Sequence, residues 1–389
     1  MGIRVVVIDD NPHLRWEGRV HPANATFQRF VAGLLDLPGG PISSIVSCLP
    51  LRDASAPPAT LPLDERISVV ATKPFDGIAG YLRALPGILA ANRPVLRQAI
   101  AEADLVWIKV PASNAPLASA LAASAGVPRF VWVAGSALDV ATARFGGPRR
   151  VAAQAVGAAY DVIGRASAIG GDRVVVGREL VTSLVEPGEL RDPAGRSWPA
   201  DPDMLRLAWA GRLVEGKGLE ALLRATASLR DDLAPRRVEL VLLGDGPARA
   251  ALGVLASELG LGADIRWTGY IADREPYLEI LAAADAFVFP SEAEGFPKVV
   301  LDAMAVGLPV LARPSGSLAP LVVTSIEGLG PGVQDLGAVV ARLDAERAWT
   351  ELAERGHRFA MEHTGPAELA RLVDRWRARW PELPWSSAT

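Results

Sequence analysis

The 389-residue chain has one cysteine, Cys48, four histidines and four lysines, at positions 73, 109, 217 and 298. A single thiol forms no internal disulfide, and no Cys/His spacing resembles a zinc site. Charge of either sign is not in excess: 40 basic and 44 acidic residues give a formal net charge of −4. No global positive field therefore exists to hold nucleic acid or an anionic bilayer, and any anion must be bound locally. Long apolar runs are also missing. The most apolar later stretch, Ile280 to Pro290, contains Asp285 and is far shorter than the roughly 20 residues needed to cross a bilayer. Met1 to Asp10 reads as a strand ending in two acids, without the apolar run and small-residue cleavage site of a signal peptide. The expectation is a soluble protein of the reducing cytoplasm, without an integral membrane segment. Its Arg-, Ala- and Gly-rich composition suggests, by association, a GC-rich bacterial genome.

The length suits two domains of ordinary size. Ile3 to Ile8 is a continuous apolar run rich in β-branched residues and closed by turn-forming Asp-Asp-Asn-Pro, as expected of a strand buried on both faces. Similar runs recur at Ile67 to Ala71, Leu105 to Val110, Arg129 to Val133 and Val174 to Val176, with Ala/Leu-rich helical spacing between them. From Glu186 to Asp203 repeated Pro and Gly break both periodicities, which places an interdomain linker there. The second half resumes with strands at Leu205 to Ala210, Glu239 to Leu243, Ile265 to Thr268, Ala286 to Phe289 and Pro309 to Ala312. Leu219, Leu222, Leu223, Thr226 and Leu229 follow the spacing of a helix lying on a sheet. The chain therefore reads as α/β, with domains over 1–190 and 191–364 and a terminal helix and tail over 365–389. The sequence does not say which domain that helix, with Trp376 and Trp380, packs on.

In an open parallel sheet, ligands bind beyond the carboxyl ends of the strands, and three loops of the second half lie there. Gly211-Arg212-Leu213-Val214-Glu215-Gly216-Lys217-Gly218 leaves a strand and opens a helix, offering flexible backbone amides, a helix N-terminus and two cations, which suit a diphosphate. The same residues match G-x-x-x-x-G-K of a P-loop, but position 218 is Gly, so the hydroxyl that would hold Mg²⁺ is missing. A solvated βα turn is the plain alternative. Ser291 to Lys298 forms the second loop, with Pro297 at a helix start. It sets Glu294 before that helix and Asp302 in its second turn. Ionised carboxylates grip vicinal hydroxyls well; a helix cap and a surface acid are the competing readings. The third element, Gly244-Asp245-Gly246-Pro247, fails as a dinucleotide fingerprint, since Arg249 takes the place of the third glycine. It reads as a tight turn.

Taken in order, Gly-Arg-Leu-x-x-x-Lys-Gly, Gly-Asp-Gly-Pro, Thr268-Gly269-Tyr270, Ala284-Asp285, Phe289-Pro290-Ser291, Glu-Gly-Phe-Pro and Ala303-Met304-Ala305 resemble the family-4 retaining glycosyltransferases of the GT-B fold, glycosyl transferases group 1. The likeness covers about Leu205 to Pro314. It implies two Rossmann-like βαβ domains facing across a cleft, the first on the acceptor side and the second on the side of a nucleoside-diphosphate sugar. The sugar nucleotide is a co-substrate; no cofactor, metal or nucleic acid is implied. By this resemblance Arg212, Lys217 and Glu294 are the catalytic set. Arg212 and Lys217 hold the diphosphate, and Glu294 holds hydroxyls of the transferred sugar. Gly211, Gly295, Phe296, Lys298, Tyr270, Ile271 and Asp302 complete the donor site, with Asp302 on the ribose diol where the family usually has Glu. Lys298 either meets an acidic donor sugar or pairs at the helix start. Retention would let the leaving phosphate take the acceptor's proton, so no dedicated base is required.

The first half departs from that pattern. The glycine-rich loop after the first strand is represented by His13 to Arg19, with one glycine, and no histidine lies near Lys109 to Asn114. His13, Trp16, His21 and Asn24 crowd that first loop and are the acceptor-site candidates. The acceptor itself, whether small molecule, glycan or lipid-linked, is not specified. A non-catalytic donor-binding subunit is the second reading, and a P-loop ATPase the third.

Overall fold

The computed structural model describes all residues except 1, 23–24, 59, 76, 135–137, 139–147, 168, 177–178, 292–295, 315, 323 and 386–389. The chain divides into two compact units, one comprising Met1–Leu184 with Gly365–Thr389 and the other Val185–Thr364.

Unit 1 is built on an eight-stranded sheet of β1 (Ile3–Ile8), β2 (His13–Trp16), β3 (Arg19–Pro22), β4 (Ile42–Asp53), β5 (Ile67–Thr72), β6 (Leu105–Val110), β7 (Arg129–Val133) and β8 (Asp172–Val175). Its path runs β3-β2-β4-β1-β6-β7-β8, with β5 also on β4, and every pairing is parallel except β2 with β3. The helices are α1 (Ala25–Ala32), α2 (Gly77–Ala101), α3 (Ala115–Ala125), α4 (Pro148–Ala166) and, from the chain end, α11 (Gly365–Arg379). Because side chains alternate along a strand, the continuous apolar runs feed two cores. Val5, Val7, Trp107, Phe130 and Trp132 share one with Phe27 and Phe30 of α1 and Leu372 and Trp376 of α11. Val6, Ile8, Val106, Ile108 and Val131 share the other with Leu96 and Ile100 of α2 and Ala118 and Ala122 of α3.

Unit 2 carries a six-stranded parallel sheet in the order β11-β10-β9-β12-β13-β14, comprising β9 (Met204–Ala210), β10 (Arg237–Leu243), β11 (Ile265–Gly269), β12 (Ala286–Phe289), β13 (Val310–Ala312) and β14 (Glu327–Gly328). Its helices are α5 (Leu219–Leu233), α6 (Arg249–Glu258), α7 (Arg274–Ala282), α8 (Lys298–Ala305), α9 (Leu336–Glu346) and α10 (Trp349–Glu362). The α5 stripe of Leu219, Leu222, Leu223, Thr226 and Leu229 is buried, as its spacing predicts.

Two expectations change, and the place of the terminal helix, left open by the sequence, is decided. The hairpin β2–β3 and the long β4 occupy segments that sequence periodicity left as loops. The Pro/Gly-rich stretch from 186 to 203 is no free linker: it belongs to unit 2, where Arg191 N donates to Ala305 O at 2.8 Å and Ala200 N to Asp285 Oδ1 at 2.8 Å. The terminal helix α11 returns to unit 1. Among the described residues no helix is long and apolar enough to cross a membrane.

Candidate functional site

Strand order in unit 2 reverses at β9, with β10 on one side and β12 on the other, the arrangement that opens a crevice at the carboxyl ends of the strands. Three loops meet there by backbone hydrogen bonds. Gly211 N donates to Leu243 O at 2.9 Å, Leu213 N to Asp245 O at 3.0 Å, and Gly244 N to Gly269 O at 2.9 Å. Such close approach needs residues without side chains. A Cβ on Gly244 (φ 136°) would run into Gly211 O, and one on Gly246 into Leu213 O.

Gly218, at the N-cap of α5 with φ 72°, would place a Cβ 2.7 Å from Pro290 O. The Ser or Thr of a P-loop would meet that carbonyl oxygen at this position, which counts against the ATPase reading. The loop instead leaves Arg212 exposed and Lys217 half-buried, just ahead of α5. Beyond β11, Tyr270 is 74% exposed and Ile271 half-buried. Phe296 is buried and stacked on Phe359 at 6.3 Å between ring centroids. Pro297 caps α8, and Lys298 opens it. Glu294 and Gly295 lie outside the described residues.

Asp302 differs from its expected open carboxylate. It is buried in α8, where Tyr277 Oη donates to Oδ2 at 3.1 Å and Arg274 Nη2 meets Oδ1 at 2.8 Å. Arg274 is also gripped by Glu189, Nε to Oε1 and Nη2 to Oε2, both at 2.8 Å, so its Nη2 serves both carboxylates. Burial raises the Asp302 carboxyl above its ordinary range, against the pull of Arg274. Burial and the neighbouring Asp302 charge also raise the Tyr277 phenol. Each Asp302 oxygen thus has a donor already, and a ribose diol would have to share or displace one. Sequence reasoning missed Glu189, Arg274 and Tyr277. The i, i+3 spacing of the last two, which puts them on one helix face, was the available signal.

In unit 1 the expected first loop is a hairpin. Glu17 and Gly18 turn it with φ of 47° and 77°, the paired positive values of a type I′ turn, which matches strand twist. His13 and His21 are therefore buried, each ring Nδ1 at 2.7 Å from a carbonyl, Asn11 O and Thr60 O respectively. Trp16 is half-buried opposite Arg19, and Asn24 lies outside the described residues. The structure reveals a polar cluster at the carboxyl ends of β1 and β6. Lys109 Nζ lies 3.1 Å from Asp9 Oδ1, and Gln28 Nε2 donates to Asp9 Oδ2 at 3.1 Å. Asp10 accepts from the amide and hydroxyl of Ser113 and, at 3.0 Å, from Asn114 Nδ2. In the sequence, 109–114 stood out only for its missing histidine.

Residues 205–353 match the family described as Glycosyl transferases group 1. The lipopolysaccharide core biosynthesis glycosyltransferase LpsE of Rhizobium meliloti is 34% identical over 170 residues, 43% of this chain and 47% of that protein. A D-inositol 3-phosphate glycosyltransferase of Saccharomonospora viridis is 37% identical over 182 residues, 44% and 41% of the two chains. The chain thus spans about half the length of such curated relatives. Among solved structures, the lipopolysaccharide outer core galactosyltransferase WaaB in its apo form aligns with a TM-score of 0.67 at 14% identity, covering 97% of this chain and all of that one. HepE of Anabaena in complex with UDP aligns with a TM-score of 0.62 at 16% identity, again over 97% and 100%. The two parallel-sheet units have the GT-B type of fold, and residues 205–353 are similar to the glycosyl transferases group 1.

Proposed function

We propose that the chain transfers a sugar from a nucleoside-diphosphate donor, bound by unit 2, to an acceptor on the side of unit 1. The observation that carries this reading is the glycine-built junction of the loops after β9, β10 and β11, with Arg212 and Lys217 ahead of α5. Backbone donors, a helix N-terminus and two cations converge where a diphosphate would lie. The UDP in the HepE complex is consistent with such a ligand. In this reading Tyr270 and Ile271 serve the base, Gly211 and Phe296 the donor, and Lys298 the transferred sugar; the further roles assigned to Glu294 and Gly295 fall on residues outside the described ones. Asp302 reaches the ribose only as part of its set with Arg274 and Tyr277.

Breaking the glycosyl phosphate bond develops negative charge on the departing diphosphate, and fixed cations and amides aimed at it lower the barrier. Configuration is retained, with the leaving phosphate oxygen taking the acceptor's proton. Because two cations face the phosphates, turnover should persist in chelator; loss in chelator with rescue by Mg²⁺ would count against this mechanism.

A panel of nucleotide sugars screened by thermal shift tests the reading, since a donor at 100 times its Kd should stabilise by about 2.7 kcal/mol. Hydrolysis of the stabilising donor then measures chemistry. Lys217→Ala and Arg212→Ala should each lower kcat roughly a hundredfold or more, the usual effect of removing a donor to developing charge. If no nucleotide sugar stabilises the protein, the proposal fails. Stabilisation without hydrolysis or transfer would favour the non-catalytic reading, for which the replaced first loop of unit 1 speaks.

A further inference from the structure

Around the β2–β3 hairpin of unit 1, buried polar atoms stand without partners among the described residues. His13 is 1% exposed and, among the described residues, its Nε2 meets no donor or acceptor; the same holds for Gln28 Oε1 and for Thr72 Oγ1 at the end of β5. Leaving such a group buried and unpaired costs about 1–3 kcal/mol, and two of them, on His13 and Gln28, are tied to the same carboxylate, Asp9, the first through Asn11.

Their chemistry says what would pair with them. Asn11 O can only accept, so the His13 Nδ1 at 2.7 Å carries the ring proton. Burial disfavours a second proton, holding the imidazole below its ordinary pKa and leaving Nε2 as a bare lone pair. The Gln28 amide donates to Asp9 Oδ2 at 3.1 Å and to Ser47 Oγ at 3.3 Å, so its carbonyl oxygen is likewise a pure acceptor. Asp9 anchors both: Asn11 N donates to its Oδ1 at 3.1 Å, and Asn11 supplies the carbonyl that orients His13.

We propose that unit 1 contains a hydroxyl-binding site around Asp9, in which His13 Nε2 and Gln28 Oε1 receive two hydroxyls of a neutral polyol. Resting on the transferase reading, this makes the acceptor a sugar or sugar alcohol that presents unmodified hydroxyls there. A phosphate or carboxylate is disfavoured, because it would bring further lone pairs against two acceptors and the Asp9 charge. The cation beside Asp9, Lys109, is committed to it at 3.1 Å and lies 4.3 Å from the centre of the Phe27 ring. The reacting proton still leaves with the donor phosphate, so His13 binds and positions. Access requires β2–β3 to yield. That hairpin ends the strand order and, among the described residues, pairs with β4 through His13, Leu14 and Arg15, with Leu63 N on Val20 O and His21 on Thr60 O as further ties.

Nuclear magnetic resonance of the ¹⁵N-histidine-labelled full chain tests this, with the His13 ring signals assigned by His13→Gln or, should that variant not fold, by replacing the other histidines. Glycerol, myo-inositol and methyl α-D-glucoside are titrated beside glycerol 3-phosphate and glucose 6-phosphate. The His13 Nε2 signal should move saturably with at least one neutral polyol and not with the phosphates. Gln28→Met should weaken that polyol by about tenfold, the worth of one hydrogen bond to a buried acceptor. An Nε2 signal unmoved by all three polyols, moved more strongly by a phosphate, or equally sensitive in Gln28→Met overturns the site. Nucleotide-sugar hydrolysis in the same samples is read separately. Its absence sinks the transferase reading while the ring signal still reports on the site.

Discussion

Asp302 is held by two donors, and its replacement should therefore act on stability as well as on the donor. Asp302→Ala leaves the Tyr277 hydroxyl without its acceptor while Arg274 keeps Glu189. A loss of about 1–3 kcal/mol in urea unfolding is expected, as for a buried group deprived of its partner. Donor KM should rise with kcat nearly intact, because the ribose does not change charge during reaction. Asp302→Glu, the usual residue of the resembling family, should destabilise too, since an extra methylene in a filled slot typically costs about 1–3 kcal/mol. Unchanged stability in both variants would mean that the Arg274–Asp302 contact is not formed in solution. His13 supplies a pH signature. Its folded-state pKa lies below the ordinary 6.5 because of burial, with Asp9 opposing that shift and Lys109 assisting it. The unfolded chain then binds more protons than the folded one just below 6.5. This stabilising contribution is complete above 6.5 and is lost as pH falls from there towards the folded value. Asp10, raised from 3.8 by burial, acts with the opposite sign in a window starting at 3.8. Chemical denaturation on either side of pH 6.5 should show the loss in the wild type and a flatter profile in His13→Gln.

The glycine junction makes its own demand on the elements around it. Gly244→Ala and Gly246→Ala each put a methyl against backbone carbonyl oxygen, where no flexible side chain can give way. Both should lower the melting temperature and weaken nucleotide binding, whereas Gly262→Ala, with open space around it, should change neither. Nucleotide affinity at wild-type level in Gly244→Ala would show that the junction does not shape the site. These loops were legible because their glycines, cations and flanking strands are contiguous in the chain. The β2–β3 hairpin was not: His13–Trp16 and Arg19–Pro22 are four-residue strands of mixed polarity. β4 was hidden in the same way, its apolar positions interrupted by Ser43, Ser44, Ser47 and Pro50. Its membership comes from pairing with β1, β2 and β5. Glu186 to Asp203 misled in the other direction, since Pro and Gly report only that regular structure stops. Asp285, far along the chain, is what ties that segment down at Ala200.

At the scale of the whole molecule, the chain end belongs to unit 1. Trp376 of α11 is fully buried in unit 1, with ring centroids 5.6 Å from Trp107 and 5.2 Å from Phe130. Trp376→Ala should cost about 3–5 kcal/mol, the range for a large aromatic removed from a core. The loss should fall on the unfolding of unit 1, read by hydrogen exchange of β6 and β7, with β9 and β10 of unit 2 protected as before. Equal loss of protection in both sheets would contradict the division into two units. By itself the sequence determined the α/β alternation, most of the strands and the loop that carries Arg212 and Lys217, because those signals are periodicities and turns within a few residues. Tertiary structure alone decided that α11 closes unit 1, that Asp302 answers to Arg274 and Tyr277, and that Asp9, Lys109, Gln28 and His13 share one buried place. Those pairings join residues distant in the chain. Burial, which makes an unpaired polar atom costly, is a property of the packed molecule and of no segment in it.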